Sequence, residues 1–161
     1  MTLDKYRTND LVVLPPTATV QTAARAFERD GIGAVLVHDG TSLVGIVTDR
    51  DIALRVVGSG SRPDRTALRD VMSRDVAALP ASASEGEAGR LMLDRRVRRI
   101  ALLQGVTPVG IVTLDDLIVD QALGPSMIAT IIREQLSEAS PMDRKSAAFR
   151  ATPLSILSAV A

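Results

Sequence analysis

Cysteine and tryptophan are absent from this 161-residue chain, and one tyrosine and two phenylalanines are all its aromatic side chains. Without cysteine there is no disulfide and no thiolate metal site, a composition that suits a reducing compartment. A single histidine, His38, is the whole imidazole supply. No serine sits beside an evident base, so the nucleophile, base and orienting group of a hydrolase cannot be assembled from motifs. An excess of one charge is missing too: 19 basic and 19 acidic side chains cancel. The net field therefore gives no reason to expect DNA, RNA or an anionic membrane as main partner. No apolar run approaches the roughly 18 residues of a membrane helix, and the stretch from Met1 to Asp10 is polar, with neither secretory signal nor anchor. These absences predict a cytoplasmic, soluble protein whose recognition is local and whose core is built from Val, Leu, Ile, Ala and Met.

What the chain does have is a duplication. Thirteen of the forty-five residues from Asp10 to Leu54 recur sixty-five positions later, from Asp75 to Val119, without a gap. The densest agreement sets Gly45-Ile46-Val47-Thr48 and Asp51 against Gly110-Ile111-Val112-Thr113 and Asp116. A lone repeat of this size would bury only about 60% of its unfolded surface, so two repeats sharing a core are expected. We divide the chain into a first repeat, 1–65, a second, 66–122, and a C-terminal helix and tail, 123–161.

Within the first repeat, Val20, Ala23, Ala24 and Phe27 mark a helix with one buried stripe, opened by Thr19 as N-cap. In the second, Ser84 and Glu87 form a Ser-x-x-Glu capping box ahead of Ala88, Gly89 and Met92. Two apolar runs follow in each copy, Ala34–Val37 with Leu43–Val47 and Ile100–Leu103 with Pro108–Val112. Asp39-Gly40 and Gly105 supply the hairpin turns, and consecutive apolar positions imply strands covered on both faces. Short extended lead-ins, Leu11–Leu14 and Val76–Leu79, stop at Pro15 and Pro80. Each copy closes with a helix starting at Thr48 or Thr113, so the order is strand, helix, strand, strand, helix, twice. Thr66 to Met72 adds a helical turn between the copies. After Gly124, Pro125 opens a helix with Ile128, Ile131, Ile132 and Leu136 on one side and Glu134 and Glu138 off that stripe; Pro141 ends it. The tail beyond, if ordered, needs a surface to dock on, most simply a second subunit.

The repeated Thr-x-x-Asp carries the chemistry. At a strand-to-helix junction Thr48 and Thr113 would project a hydroxyl beside unpaired N–H groups, a favourable place for a phosphate oxygen. Asp51 and Asp116, a turn further on, accept hydrogen bonds only and suit the hydroxyls of a ribose. The same pattern is also a helix-capping motif in which hydroxyl and carboxylate satisfy backbone donors. The duplicated Gly-Ile-Val favours a ligand, because a group packed against that strand benefits from a small glycine and an apolar isoleucine.

On these residues the chain resembles a tandem pair of cystathionine β-synthase (CBS) domains, a Bateman module, over residues 8 to 122. The resemblance implies an α+β fold in which two β-α-β-β-α repeats pack about a pseudo-two-fold axis, with an added C-terminal helix and tail. It further implies clefts between the repeats for AMP, ATP or S-adenosylmethionine as regulatory ligand, with no cofactor required. By that resemblance Asp51 and Asp116 hold ribose hydroxyls, Thr48 and Thr113 lie near phosphate, and Ile46 and Ile111 line the adenine. A basic residue at the start of the strand before the hairpin reaches phosphate in such proteins. Arg98 and Arg99 supply it in the second copy, whereas Gly33 and Ala34 stand at the aligned places in the first.

The expected function is thus a non-catalytic sensor, homodimeric and acting on an unidentified protein; the alternative is a dimerisation module with empty clefts. An enzyme and a nucleic-acid binder using Arg95, Arg96, Arg98 and Arg99 rank below both, for want of a catalytic set, of net positive charge and of aromatics. His38 aligns with Leu103, which marks it as an ordinary strand-end residue. No metal site is expected, since Asp115 and Asp116 are neighbours on a helix and point apart.

Overall fold

A computed structural model describes residues 1–137; the expectations for Glu138, Pro141 and the tail lie outside the described residues. Each repeat builds a three-stranded sheet of the same order. In the first, β1 (Val13–Leu14) runs parallel to β2 (Ala34–His38), which pairs antiparallel with β3 (Leu43–Thr48). In the second, β4 (Ala78–Pro80), β5 (Arg99–Gln104) and β6 (Thr107–Thr113) repeat the arrangement. The match extends to defects: the ladder shifts register between Val37 and His38, and again sixty-five residues on, between Leu102 and Leu103. The turns fall where glycine permits positive φ, at Gly40 (99°) and Gly105 (61°).

Residues Ala34 to Val37 of β2 are all buried, as expected of a strand covered on both faces, whereas β3 alternates and leaves one face half-open. The helix α1 (Val20–Asp30) starts at Thr19, whose hydroxyl accepts from the Thr22 N–H. Its buried stripe is Val20, Ala23 and Ala26 with Phe27 partly covered. Ala24, expected on that stripe, faces solvent, because the sheet is met by a face turned slightly toward position 26. The helix α4 (Glu85–Arg95) begins with the Ser84–Glu87 capping box and buries Ala88, Gly89 and Met92. The closing helices are α2 (Asp49–Ile52), which widens into a π-helical stretch over Ala53–Val57, and α5 (Leu114–Val119).

The two cores exchange pieces of chain. After a bridge between Thr2 and Ser84, the 3-10 turn Leu3–Tyr6 buries Leu3 in the second repeat's core, and Leu3 N–H donates to the Ala83 carbonyl at 2.8 Å. Sixty-five residues later α3 (Leu68–Val71) does the converse. Leu68 enters the first repeat's core and its N–H donates to the Ala18 carbonyl, also at 2.8 Å. Both arms then run on beside a hairpin: Arg7 bridges Gly110, and Ser73 bridges Ile46. This reciprocal crossing relates the halves by an approximate two-fold.

Ionic contacts hold the first arm. Lys5 Nζ lies 2.8 Å from both Glu85 Oε1 and Asp120 Oδ2, the N-terminal amine is 3.4 Å from Glu85 Oε2, and Tyr6 donates to Asp120 at 2.8 Å. The hydrogen bond from Lys5, opposed by burial, holds the Glu85 carboxyl below the usual carboxylate range; Lys5 and then Tyr6 do the same for Asp120. Burial first, then Asp120, pushes the Tyr6 phenol up to about 12. A carboxyl depressed in the fold adds stability that is complete above its unfolded value and lost as pH falls through the folded one. Unfolding free energy is therefore expected to decline on acidification below about 4.5, the ordinary glutamate value. Denaturant titrations across that range should show the decline flattened in Glu85→Gln.

The last described element, α6 (Pro125–Ser137), opens at Pro125 as expected. It lies along α4, with Ile131 fully buried in the second core and Met127 and Ile128 packed against it. That core thus covers much of the apolar stripe, while Ile132 and Leu136 stay exposed.

Candidate functional site

Both Thr-x-x-Asp motifs sit at the junctions where they were expected, β3 to α2 and β6 to α5, and both are closed capping boxes. Asp51 Oδ2 accepts from Thr48 N (2.9 Å) and Thr48 Oγ1 (2.8 Å), and Asp51 N–H donates to Thr48 Oγ1 at 3.2 Å. The second motif matches: Thr113 N and Oγ1 donate to Asp116 Oδ2 at 2.8 and 2.6 Å, and Asp116 N–H donates to Thr113 Oγ1 at 3.1 Å. The next N–H in each helix is taken as well, Asp49 by the Gly33 carbonyl (3.3 Å) and Leu114 by the Arg98 carbonyl (2.9 Å). The helix starts are therefore largely satisfied from within: of the N–H groups expected to meet a phosphate, those of Asp49, Asp51, Leu114 and Asp116 already have partners.

The capping role leaves room beside it. A cavity of about 360 Å3 adjoins Thr113, Asp116 and Ile111 and is walled across the two-fold by Val12, Ile32 and Gly33. Its counterpart, about 220 Å3, adjoins Thr48, Asp51 and Ile46 and is walled by Val76, Val97 and Arg98. The larger volume falls at the lower end of the range for small-molecule pockets. Each cleft thus takes its motif from one repeat and its opposite wall from the other, and all eight expected site residues line one cleft or both: Arg98 the smaller, Arg99 both.

The glycines of the repeated Gly-Ile-Val answer to a different neighbour than the one expected. A Cβ at Gly45 would collide with the Met72 side chain, and one at Gly110 would lie 2.5 Å from the Tyr6 carbonyl oxygen. They are small because the exchanged arms pass over them. The sequence signal for those crossings was faint: Leu3 and Leu68, sixty-five apart, lie outside the aligned block.

The arginine run is divided among tasks. Arg95 pairs with Asp75, Arg96 lies 3.5 Å from Glu134 on α6, and Arg98 contacts Asp115 at 3.0 Å. Arg55, outside the lining of the smaller cleft, reaches its Asp51 at Oδ1 (3.2 Å), a pairing that the spacing of four on a helix makes recognisable. His38 closes the hairpin, its Nδ1 accepting from Gly40 N–H at 3.0 Å. Among the described residues no cluster of three or more His, Cys, Asp or Glu is placed to hold a metal, and no helix is long and apolar enough to cross a membrane.

The CBS domain family model matches residues 4–58 and 68–121. Relatives include an uncharacterised protein of Methanopyrus kandleri, 33% identical over 127 residues, and the CBS domain-containing protein YhcV of Bacillus subtilis, 35% identical over 114. The matched stretches cover 78% and 71% of this chain and 63% and 81% of those proteins. Among solved structures, a CBS domain protein of Thermoplasma acidophilum superposes with a TM-score of 0.73 at 22% identity, over 83% of this chain and 75% of its own. Hypoxic Response Protein I, solved with two coordinated zinc ions, gives 0.66 at 26% identity, over 77% of this chain and all of its own.

Proposed function

We propose that this chain, which belongs to the CBS-domain family, is a regulatory module that takes an adenosine-containing ligand between its repeats and catalyses nothing itself. The observation that carries the reading is the pair of cavities, each beside one Thr/Asp box and each walled by both halves. Adenine would lie against Ile46 or Ile111, and ribose would share the carboxylate of Asp51 or Asp116 with the cap. A ligand that touches both repeats binds one mutual packing better than another, and only that difference in affinity can be transmitted to a partner protein.

Calorimetric titration with AMP, ATP and S-adenosylmethionine tests this. Saturable heat is expected from at least one of them, with Asp51→Ala and Asp116→Ala each removing the binding at its own cleft. No heat from any of the three would sink the reading.

The engagement of both Thr/Asp pairs as helix caps favours a second reading, a dimerisation module with unused clefts. Leu54 and Val57 on the helical stretch after β3, and Ile118 and Val119 on α5, are exposed apolar side chains that a second copy would cover. A homodimer is part of both readings. They differ in whether nucleotide changes anything.

A further inference from the structure

The walls that the two arms contribute to the clefts match residue for residue but are held very differently. Thr8, Asp10, Leu11 and Val12 line the larger cleft; Ser73, Asp75, Val76 and Ala77, each sixty-five positions on, line the smaller. Side chains tie down the second of these walls. Arg55 donates to Ser73 Oγ at 3.1 Å, Arg74 donates to the Arg69 carbonyl at 3.1 Å, and Arg95, the last residue of α4, pairs with Asp75. The first wall is anchored at its ends by backbone: Thr8 N–H donates to the Val109 carbonyl of β6 at 3.1 Å, and the Val12 carbonyl accepts from Leu36 N–H of β2 at 3.2 Å. Between those anchors Asp10 N–H donates to Thr8 Oγ1 at 3.1 Å, and no side chain of Asn9, Asp10 or Leu11 bonds to another element among the described residues. The place of Arg95 is taken by Asp30, the last residue of α1. Asp10 and Asp30 line one recess with Arg29, and Arg29 is already bound to Asp30 through two bonds of 2.7 and 2.6 Å. Where the second arm meets an opposite charge, the first meets a like one.

From this asymmetry we infer that residues 8–11 form a movable strap over the larger cleft, whereas the matching wall of the smaller cleft is latched by the Asp75–Arg95 pair. Use of the strap as the route of ligand exchange rests on the adenosine reading above; its mobility does not. An exposed ion pair adds little to global stability, so the latch acts on the local order of the wall it holds and not on the melting of the fold. The strap is fixed to β6 at one end and to β2 at the other, so it can lift without opening either core. A ligand that closes it engages both repeats at once, which makes the larger cleft the one where binding changes the packing of one half on the other.

Amide relaxation by NMR on the full chain without ligand is the first test. Order parameters of residues 9–11 should fall toward about 0.6, and those of residues 74–76 should lie near about 0.85, the value of rigid backbone. Asp30→Arg, which gives the first arm the partner that the second has, should bring residues 9–11 up toward the rigid value; an arginine there also suits the C-terminal end of α1, so the helix is not at risk. Adding Asp10→Asn should undo that gain, and Arg95→Ala alone should loosen residues 74–76. Equal order in the two arms of the unaltered chain, or a gain in Asp30→Arg that persists without the Asp10 carboxylate, overturns the inference. In the second test adenosine is titrated and its exchange followed at the amides of Thr113 and Asp116 for the larger cleft and of Thr48 and Asp51 for the smaller. Asp30→Arg should slow dissociation from the larger cleft by about two- to fivefold, the reach of an exposed ion pair, and leave the smaller unchanged. An unchanged rate at the larger cleft overturns the strap as its exchange route. Adenosine that shifts none of these amides in the unaltered chain sinks the adenosine reading instead, and the relaxation comparison still decides the strap.

Discussion

Leu3→Ala is expected to lower the unfolding free energy by about 2–5 kcal/mol, the range for truncating a large buried aliphatic side chain. For a residue three from the chain start this is a large effect, because terminal segments ordinarily fray. Leu3 differs in being 0% exposed, set in the second core among Ala83, Ala88 and Leu117. Leu68, its two-fold counterpart, is equally buried in the first core, and Leu68→Ala should cost a similar amount. Denaturant midpoints at unchanged slope would measure both, with exposed Val106→Ala, in the turn between β5 and β6, as a control that moves little. A loss below about 0.5 kcal/mol for Leu3→Ala would show that the N-terminal arm is not part of the core in solution.

Gly110→Ala is expected to destabilise by about 1–3 kcal/mol, as overpacking does, and to release the N-terminal arm. The added methyl would meet backbone, the Tyr6 carbonyl oxygen at 2.5 Å and the Arg7 Cα at 3.4 Å, neither of which can rotate aside. At Gly45 the obstruction is the side chain of Met72, whose thioether has free torsions to move through, so Gly45→Ala should cost less. Hydrogen exchange of the Thr8 amide, which donates to the Val109 carbonyl at 3.1 Å, reports the arm directly. Exchange should quicken in Gly110→Ala and stay slow in Gly45→Ala; equal behaviour would contradict the contrast between backbone and side-chain obstruction.

These two residues also mark what could be read in the sequence. The strands, helices and turns of both repeats were legible because each is specified locally, by a run of apolar residues, a cap or a glycine, and because the duplication states each signal twice. The capping box at Ser84 and Glu87, the helix from Pro125 and the turns at Gly40 and Gly105 are of this kind. The exchange of arms was not legible, since contact between Leu3 and Ala83 is set by tertiary packing and leaves only one conserved leucine spacing in the chain itself. The purpose of Gly45 and Gly110 was misassigned to a ligand for the same reason. At the site, Thr-x-x-Asp carried two meanings, cap and ligand contact, and the structure realises the cap with a cavity beside it.

The crossed arms bear on synthesis as well as on stability. When the first sixty-five residues have left the ribosome, the sheet of the leading half is complete but Leu68, Val71 and Met72, which fill its interior, are still to come. The trailing half meets the opposite circumstance: its missing piece was made first and must wait, with Leu3 uncovered, for more than a hundred residues to appear. Of the two exchanged leucines, Leu3 is thus the one that waits for its site during synthesis, and a chaperone or a neighbouring polypeptide has the longer access to it.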